Sequence, residues 1–327
     1  MKIENVILFV FTRVAFLMLL ACTVDISSAK SSMDKATIVG IPVIYETDMT
    51  LDVDDVGALA VLHGLQTEDK VNILGVCYNE VHPLAPDAID AINTYYGRGT
   101  IPIGIYRKEL AEPDPSDYFT SERGFDVDNM PHDSFDNIVA DAVAVYKHLL
   151  KPQADDSVVI ISVGFLNNLH DLLKDPEGLQ LVESKVKLLA IMGGLHNDGF
   201  NLSRHDLVEQ SQYVIENWPG TLVTTDVGGD MITGETLTST TPTNNPVRRA
   251  YELEWHQGPN IGRCSWDQVT VMYAVFGTKY YVEDWDGGGS LKNGYSWTFS
   301  AGHRGYAAPK KDKQVEDEIE RLMTLAP

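Results

Sequence analysis

The segment ATIVGIPVIYETDMTLDVDDVGALAVLHGL, residues 36–65, passes from one periodicity to another. Residues 38–46 are apolar and rich in β-branched side chains, the pattern of a strand buried on both faces. Residues 54–65 read as a helix. Between them, Glu46 to Asp55 places five carboxylates in ten positions. Like charges that close repel and raise one another's pKa. A bound cation is the simplest compensation.

The alternation continues along the chain. Residues 71–78, 101–106, 157–164, 186–194 and 220–227 read as strands, and 86–97, 134–150, 165–174 and 206–217 as helices. Strands alternating with helices imply right-handed crossovers. The fold class is therefore α/β: an open, mostly parallel sheet with helices on both faces and a Rossmann-like core. QVEDEIERLMTL near the C-terminus reads as an amphipathic closing helix. Two stretches are irregular, 108–133 (Asp, Pro and Ser) and 284–305 (Gly and aromatics). Each reads as a lid or as a plain surface insertion. Without a repeat or a break in composition, 30–327 reads as one domain.

The 327 residues are 44% apolar, enough for a sizeable core, and carry a formal net charge of -22. Such a surface repels phosphate backbones, so nucleic acid is not an expected partner. Residues 1–29 combine Lys2, an apolar stretch interrupted by Arg13, and a small-residue end at Ser27-Ser28-Ala29. This reads as a secretory signal peptide, and export is expected. Lipid anchoring at Cys22 and a signal anchor are alternatives. Cys77 and Cys264 would remain after cleavage, allowing at most one disulfide.

In open parallel sheets, ligands sit beyond the carboxyl ends of the strands. The acidic run lies at such an end. Several carboxylates without Cys or His partners suit a hard cation, Ca²⁺ or Mg²⁺. Asp54 and Asp55 are adjacent and can divide roles, one holding metal and one activating water. A plainer reading is an acidic helix N-terminus with Asp52 as its cap. DVDDV also resembles, loosely, the loop of haloacid-dehalogenase-type Mg²⁺ phosphohydrolases, which predicts a covalent phosphate on Asp52. An EF-hand would need Gly where Val53 stands.

Six segments in order resemble the nucleoside hydrolase family. ETDMTLDVDDVGALAVLHGL resembles its N-terminal signature, DxDxGxDDxxAL, in a two-residue longer form. LGVCYNE, DAINTYYGR with IPIGIY, SVGFLNNL, MGG with GFN at 199–201, and SWDQVTVMYAV follow. The resemblance spans roughly residues 38 to 325. It implies Ca²⁺-dependent hydrolysis of the N-ribosidic bond of a nucleoside or related riboside. Asp48, Asp55 and Asp267 would hold the metal with a backbone carbonyl near Asn167. Asp54 would be the general base, and Asn79 and Asn201 would bind the sugar. Homo-oligomers are usual in the family.

The departures from that pattern are specific. Glu46 stands for the first Asp. Gly199 stands for a sugar-binding Glu, which neighbouring Asp198 would replace. Trp266 stands where several members have a His that helps the base leave. Trp can stack on an aromatic leaving group but has no proton to give. His196, His205, His303 and Tyr306 are candidates for a replacement acid, and Trp285 and Trp297 for a base pocket. A weakly catalytic homologue that binds Ca²⁺ and ribose is the alternative to an enzyme. Asn201-Leu202-Ser203 is a glycosylation sequon that a sugar-facing Asn201 would make coincidental.

Overall fold

The computed structural model describes residues 40–49, 52–113, 139–253 and 258–327. In chain order the strands are β1 (Ile41–Thr47), β2 (Val71–Tyr78), β3 (Ile103–Ile105), β4 (Val139–Asp141), β5 (Val158–Ser162), β6 (Val186–Met192), β7 (Thr221–Thr225), β8 (Ile232–Thr233), β9 (Arg263–Cys264), β10 (Tyr281–Asp284), β11 (Gly288–Ser290), β12 (Ser296–Thr298) and β13 (Arg304–Pro309). The helices are α1 (Asp54–Thr67), α2 (Ala85–Tyr95), α3 (Ala142–Leu150), α4 (Asn167–Lys174), α5 (Pro176–Lys185), α6 (Val208–Asn217), α7 (Leu237–Thr240), α8 (Pro246–Leu253), α9 (Trp266–Phe276) and α10 (Asp312–Met323).

Nine strands form one sheet in the order β10-β13-β7-β6-β5-β1-β2-β3-β4. Its pairings are parallel except for β10 on β13. From β1 the chain steps outward through β2, β3 and β4, then returns to lay β5 on the other side of β1. The connections therefore reverse direction between β1 and β5. Helices diverge at such a point and leave a crevice beyond the strand ends.

Side-chain alternation divides the interior between two faces. Val43, Tyr45, Val159, Ile161, Ala190 and Val223 face a core completed by α1, α2, α8, α9 and α10. Ile44, Ile160, Leu189, Ile191 and Leu222 face a second core, completed by α3, α4, α5 and α6. This confirms helices on both faces. Residues Val43 to Thr47 of β1 are fully buried. Their near-continuous apolar character follows from having no solvent side.

Some elements differ from expectation. The segment read as helix 134–150 contains β4, whose Val139–Asp141 pairs with Ile103–Ile105, and only then α3. Asp141 ends the strand and caps the helix, its carboxylate accepting from Ala144 N at 3.2 Å. Tertiary pairing overrides local helix preference here. Residues 284–305 hold the β11–β12 hairpin and the start of β13, which inserts between β10 and β7. Residues 1–39, with the expected signal, and most of 108–133 lie outside the described residues. Cys77 and Cys264 are both free thiols. No described helix is long and apolar enough to cross a membrane.

His63 of α1 is fully buried between the helices of the first face. Its ring stacks on Tyr96 at 4.4 Å. Arg98 can only donate, and its Nη1 lies 3.1 Å from His63 Nδ1. The proton therefore sits on Nε2, which bonds Asn93 Oδ1 at 2.9 Å. Burial first, and the Arg98 charge second, pull the imidazole pKa down to about 3. The unfolded chain takes up that proton near pH 6.5, whereas the folded chain does not until about pH 3. Stability is thus fully present above pH 6.5 and falls as pH drops below it. His63 should account for about 3 kcal/mol of loss between pH 6.5 and 4. Denaturant unfolding at several pH values should show a shallower acid limb for His63→Gln than for the wild type; equal limbs would refute the assignment.

Candidate active site

The carboxyl ends of β1, β2, β5, β6 and β7 deliver Asp48, Asn79, Val163, Met192 and Asp226 to one end of the sheet. All but Asn79 line a cavity of about 310 Å³, together with Asp52, Asp54, Asp55, Asp198, Phe200, Asn201, Arg263, Trp266 and Asp267. The cavity lies at the β1/β5 reversal, where the topology predicts a ligand.

Backbone geometry brings the acids together. Asp54 and Asp55 occupy the first turn of α1, where the helix N-terminus favours negative charge. Val53, not Asp52, is the residue at the cap, and no side chain caps the helix. Asp52 instead pairs with Arg263 Nη2 at 2.8 Å. Carboxylate oxygens of Asp52, Asp54 and Asp55 lie within 4.8 Å of one another. Asp267 joins them from the first turn of α9. Asp48, Asp54, Asp55 and Asp267 are each at most 5% exposed.

Burial is the main reason these carboxyls titrate high. Asp48 is pushed up further by Asp55 and Asp52, and Asp54 by Asp267, Asp52 and Asp55. Asp267 is pushed up by Asp55, Asp48 and Asp52. Asp55 rises to about 7, with the Thr47 hydroxyl opposing the shift by donating to its carboxylate. Four buried acids that raise one another are the electrostatic complement of a cation, which would restore them to their ionised form.

The neighbouring oxygen donors suit a hard ion. Asn79 donates Nδ2 to Glu46 Oε1 at 3.2 Å and to the Phe165 carbonyl at 2.9 Å. That leaves its buried Oδ1 without a hydrogen-bond partner. A methyl group on Gly164 would sit 2.7 Å from that atom, 2.8 Å from Asp48 Oδ1 and 2.6 Å from Asp48 N. Only glycine lets β5 come this close to the end of β1. The donor set is therefore all oxygen, and it fits Ca²⁺ or Mg²⁺ rather than a softer metal.

Glu46 points to the opposite face of β1 from Thr47. It accepts from the Tyr146 hydroxyl as well as Asn79, and burial raises its pKa to about 7. It supports Asn79 from behind and does not line the cavity.

Of the other residues singled out from sequence, Asn201 lines the cavity, 2% exposed, with Nδ2 held by the Val163 carbonyl at 2.5 Å. This burial is incompatible with a glycan. Asp198 also lines it, but its carboxylate accepts from Gly194 N (2.8 Å), Phe200 N (2.9 Å) and Leu202 N (3.2 Å). It fixes its own loop. Gly199 is turned toward Lys292. Asn167 heads α4 away from the lining and donates Nδ2 to the Asn79 carbonyl at 2.9 Å.

None of the four candidate acids lines the cavity. His205 is held between the Ala111 carbonyl (2.7 Å) and Glu80 (3.1 Å). His303 precedes β13, at the opposite end of the sheet, and Tyr306 lies within that strand. His196 is exposed. Trp285 packs on Gly305, and Trp297 on Gly194 and Gly289. Trp266 does line the cavity, with Nε1 against Gly229 and the Arg263 guanidinium 5.4 Å from its ring. Arg263, Asp226, Phe200 and Met192 were not anticipated. A position at the carboxyl end of a strand was the available signal for Met192, which ends β6, and Asp226, which follows β7; Arg263 had none.

The arrangement of strands and helices resembles that of solved nucleoside hydrolases. The inosine-uridine preferring nucleoside hydrolase from Bacillus anthracis shares it, at 15% identity and a TM-score of 0.62, over 87% of this chain and 99% of that one. An inosine-guanosine nucleoside hydrolase matches at 13% identity and a TM-score of 0.65, over 88% and 99%. The type III effector XopQ, solved in complex with adenosine diphosphate ribose, matches at 12% identity and 0.60, over 88% and 93%. At these identities the likeness establishes the fold. No protein-family model matches the chain and no curated protein aligns with it.

The crowding of acids carries a prediction of opposite sign in two conditions. In chelator, Asp267→Asn relieves repulsion and should raise Tm by about 2–4 °C, equivalent to about 1 kcal/mol. With Ca²⁺ present, the wild type should gain stability in proportion to site occupancy, and Asp267→Asn should lose that gain. Thermal melts of both proteins in both buffers check this. A variant that melts lower in chelator and keeps the full Ca²⁺ response would refute the cation pocket.

Proposed function

We propose that this protein hydrolyses the N-ribosidic bond of a nucleoside or related riboside, with Ca²⁺ bound in the acidic crevice. The observation that carries this reading is the convergence of Asp48, Asp54, Asp55 and Asp267 beside Asn201 and Trp266 in one cavity. Asp48, Asp55 and Asp267 are the proposed ligands, with Asn79 Oδ1 and a carbonyl near Asn167 as neutral oxygens. When bound, the ion would orient water and ribose hydroxyls and lower the water's pKa.

The chain's own groups supply the rest. Asp54 accepts a proton from the attacking water as the general base. It sits in the first turn of α1, beside the Asp52 and Asp55 carboxylates. The surrounding acids stabilise positive charge as C1′ becomes oxocarbenium-like. Asn201 orients the sugar, Asn79 having its amide nitrogen committed to Glu46 and the Phe165 carbonyl, and Trp266 offers a face to the departing base. Direct attack by water inverts the anomeric centre.

The phosphohydrolase alternative needs Asp52 as a nucleophile, and the Arg263 ion pair quenches it. The binding-only alternative is motivated by Gly199 and Trp266, and the four acids Asp48, Asp54, Asp55 and Asp267 that line the cavity argue against it.

Ribose release from purine and pyrimidine nucleosides, with Ca²⁺ and with chelator, tests the reading. Activity should require Ca²⁺ and fall by at least about 100-fold in Asp54→Asn. Ca²⁺ binding without cleavage of any riboside would leave the binding protein as the answer. Residues 1–29 are proposed as an export signal; N-terminal sequencing of the mature protein should begin near Lys30, and an intact Met1 start would refute cleavage.

A further inference from the structure

The proposed reaction leaves one requirement unmet. As the C1′–N bond breaks, its electron pair moves onto the base, and something must take that negative charge. None of the four candidate acids lines the cavity. Trp266 has no acidic proton, and its N–H edge is turned against Gly229.

Among the described residues lining the cavity, Arg263 alone carries a positive charge, against seven carboxylates. Among the contacts that set its position are the following. Asp52 Oδ2 accepts from Nη2 at 2.8 Å. The guanidinium carbon lies 5.4 Å from the Trp266 ring. β9, the strand that bears it, pairs with β8 through Thr233. The side chain is 14% exposed, so its charge acts through little water. A cation held over the ring of Trp266, next to Asp267, is placed beside any base that enters the cavity against that ring.

Resting on the hydrolase reading, we propose that Arg263 is the electrophile for the leaving group, and that the site consequently prefers ribosides of oxo-substituted bases. The step balances without another reactant. Water oxygen bonds to C1′ and its proton passes to Asp54. The C1′–N pair departs on the base, and an oxo-base delocalises it onto a carbonyl oxygen. The guanidinium meets that oxygen with N–H donors and stays protonated throughout. The base anion then takes a proton from solvent, and Asp54 returns its own to solvent. An amino group in the same place presents donors to donors and is disfavoured.

The test compares wild type, Arg263→Gln and Arg263→Lys on inosine, adenosine, uridine and p-nitrophenyl riboside. The last has a leaving group that departs without help. Wild type should favour inosine over adenosine, which differ at the one exocyclic position. Arg263→Gln should lose about 100-fold in kcat on inosine and uridine while staying within a few-fold on p-nitrophenyl riboside. Arg263→Lys should recover part of the loss. The wild-type rate on inosine should also stay level at alkaline pH up to about 10, because Arg263 keeps its proton. Equal loss on all four substrates would make Arg263 a scaffold for Asp52 and overturn the proposal. So would no loss, or an alkaline fall that marks a titrating acid. Wild type inert even on p-nitrophenyl riboside would instead remove the hydrolase reading itself.

Discussion

Mutual repulsion among four buried carboxylates is the constraint around which this structure is arranged. Each of Asp48, Asp54, Asp55 and Asp267 would be costly to bury alone, and together they cost more. They stay together because three different elements fix them. Asp48 ends a strand with no solvent-facing side, Asp54 and Asp55 start one helix, and Asp267 starts another. The two helix N-termini offset part of the repulsion. Two hydrophobic cores, one on each side of the sheet, supply the rest of the restraint.

Much of this was legible in the sequence because it depends on local pattern. The buried strands β1, β2, β5, β6 and β7 announced themselves as apolar runs, and the acidic turn after β1 stood out for having no other obvious use. Asp267 emerged only through the family resemblance, since nothing near Trp266 distinguishes it by composition. Other features depend on distant partners. Asp52 looked like a cap because a cap is a local property; its partner Arg263 is brought to it by tertiary structure. β4 was hidden because its strand character exists only against β3. Asp198 was assigned to a sugar, but its carboxylate closes a turn through three backbone amides that no spacing rule reveals.

The alternation of β1 also gives the site two unlike sides. Thr47, on one face, donates to Asp55 and so acts on the charged cluster directly. Glu46, on the other, acts through Asn79, whose amide it orients so that the oxygen stays next to Asp48. A departure from the family pattern at Glu46 is absorbed because the longer side chain reaches Tyr146 across the second core. The departure at Trp266 has no such local answer, and on the proposed reading the charge at the leaving group falls to Arg263 of β9, whose guanidinium lies over the Trp266 ring.

The acids come from opposite ends of the chain, Asp48 just after the first strand and Asp267 in the penultimate long helix. Loop closure over such a separation is among the last entropic costs that a folding chain meets. The crevice therefore does not exist in any partially folded form that lacks α9. A nascent or truncated chain presents the first acids without their counterpart and holds a cation weakly. On the proposed reading, cation uptake would report completion of the fold, and the charge that opposes assembly would become the lock that closes it.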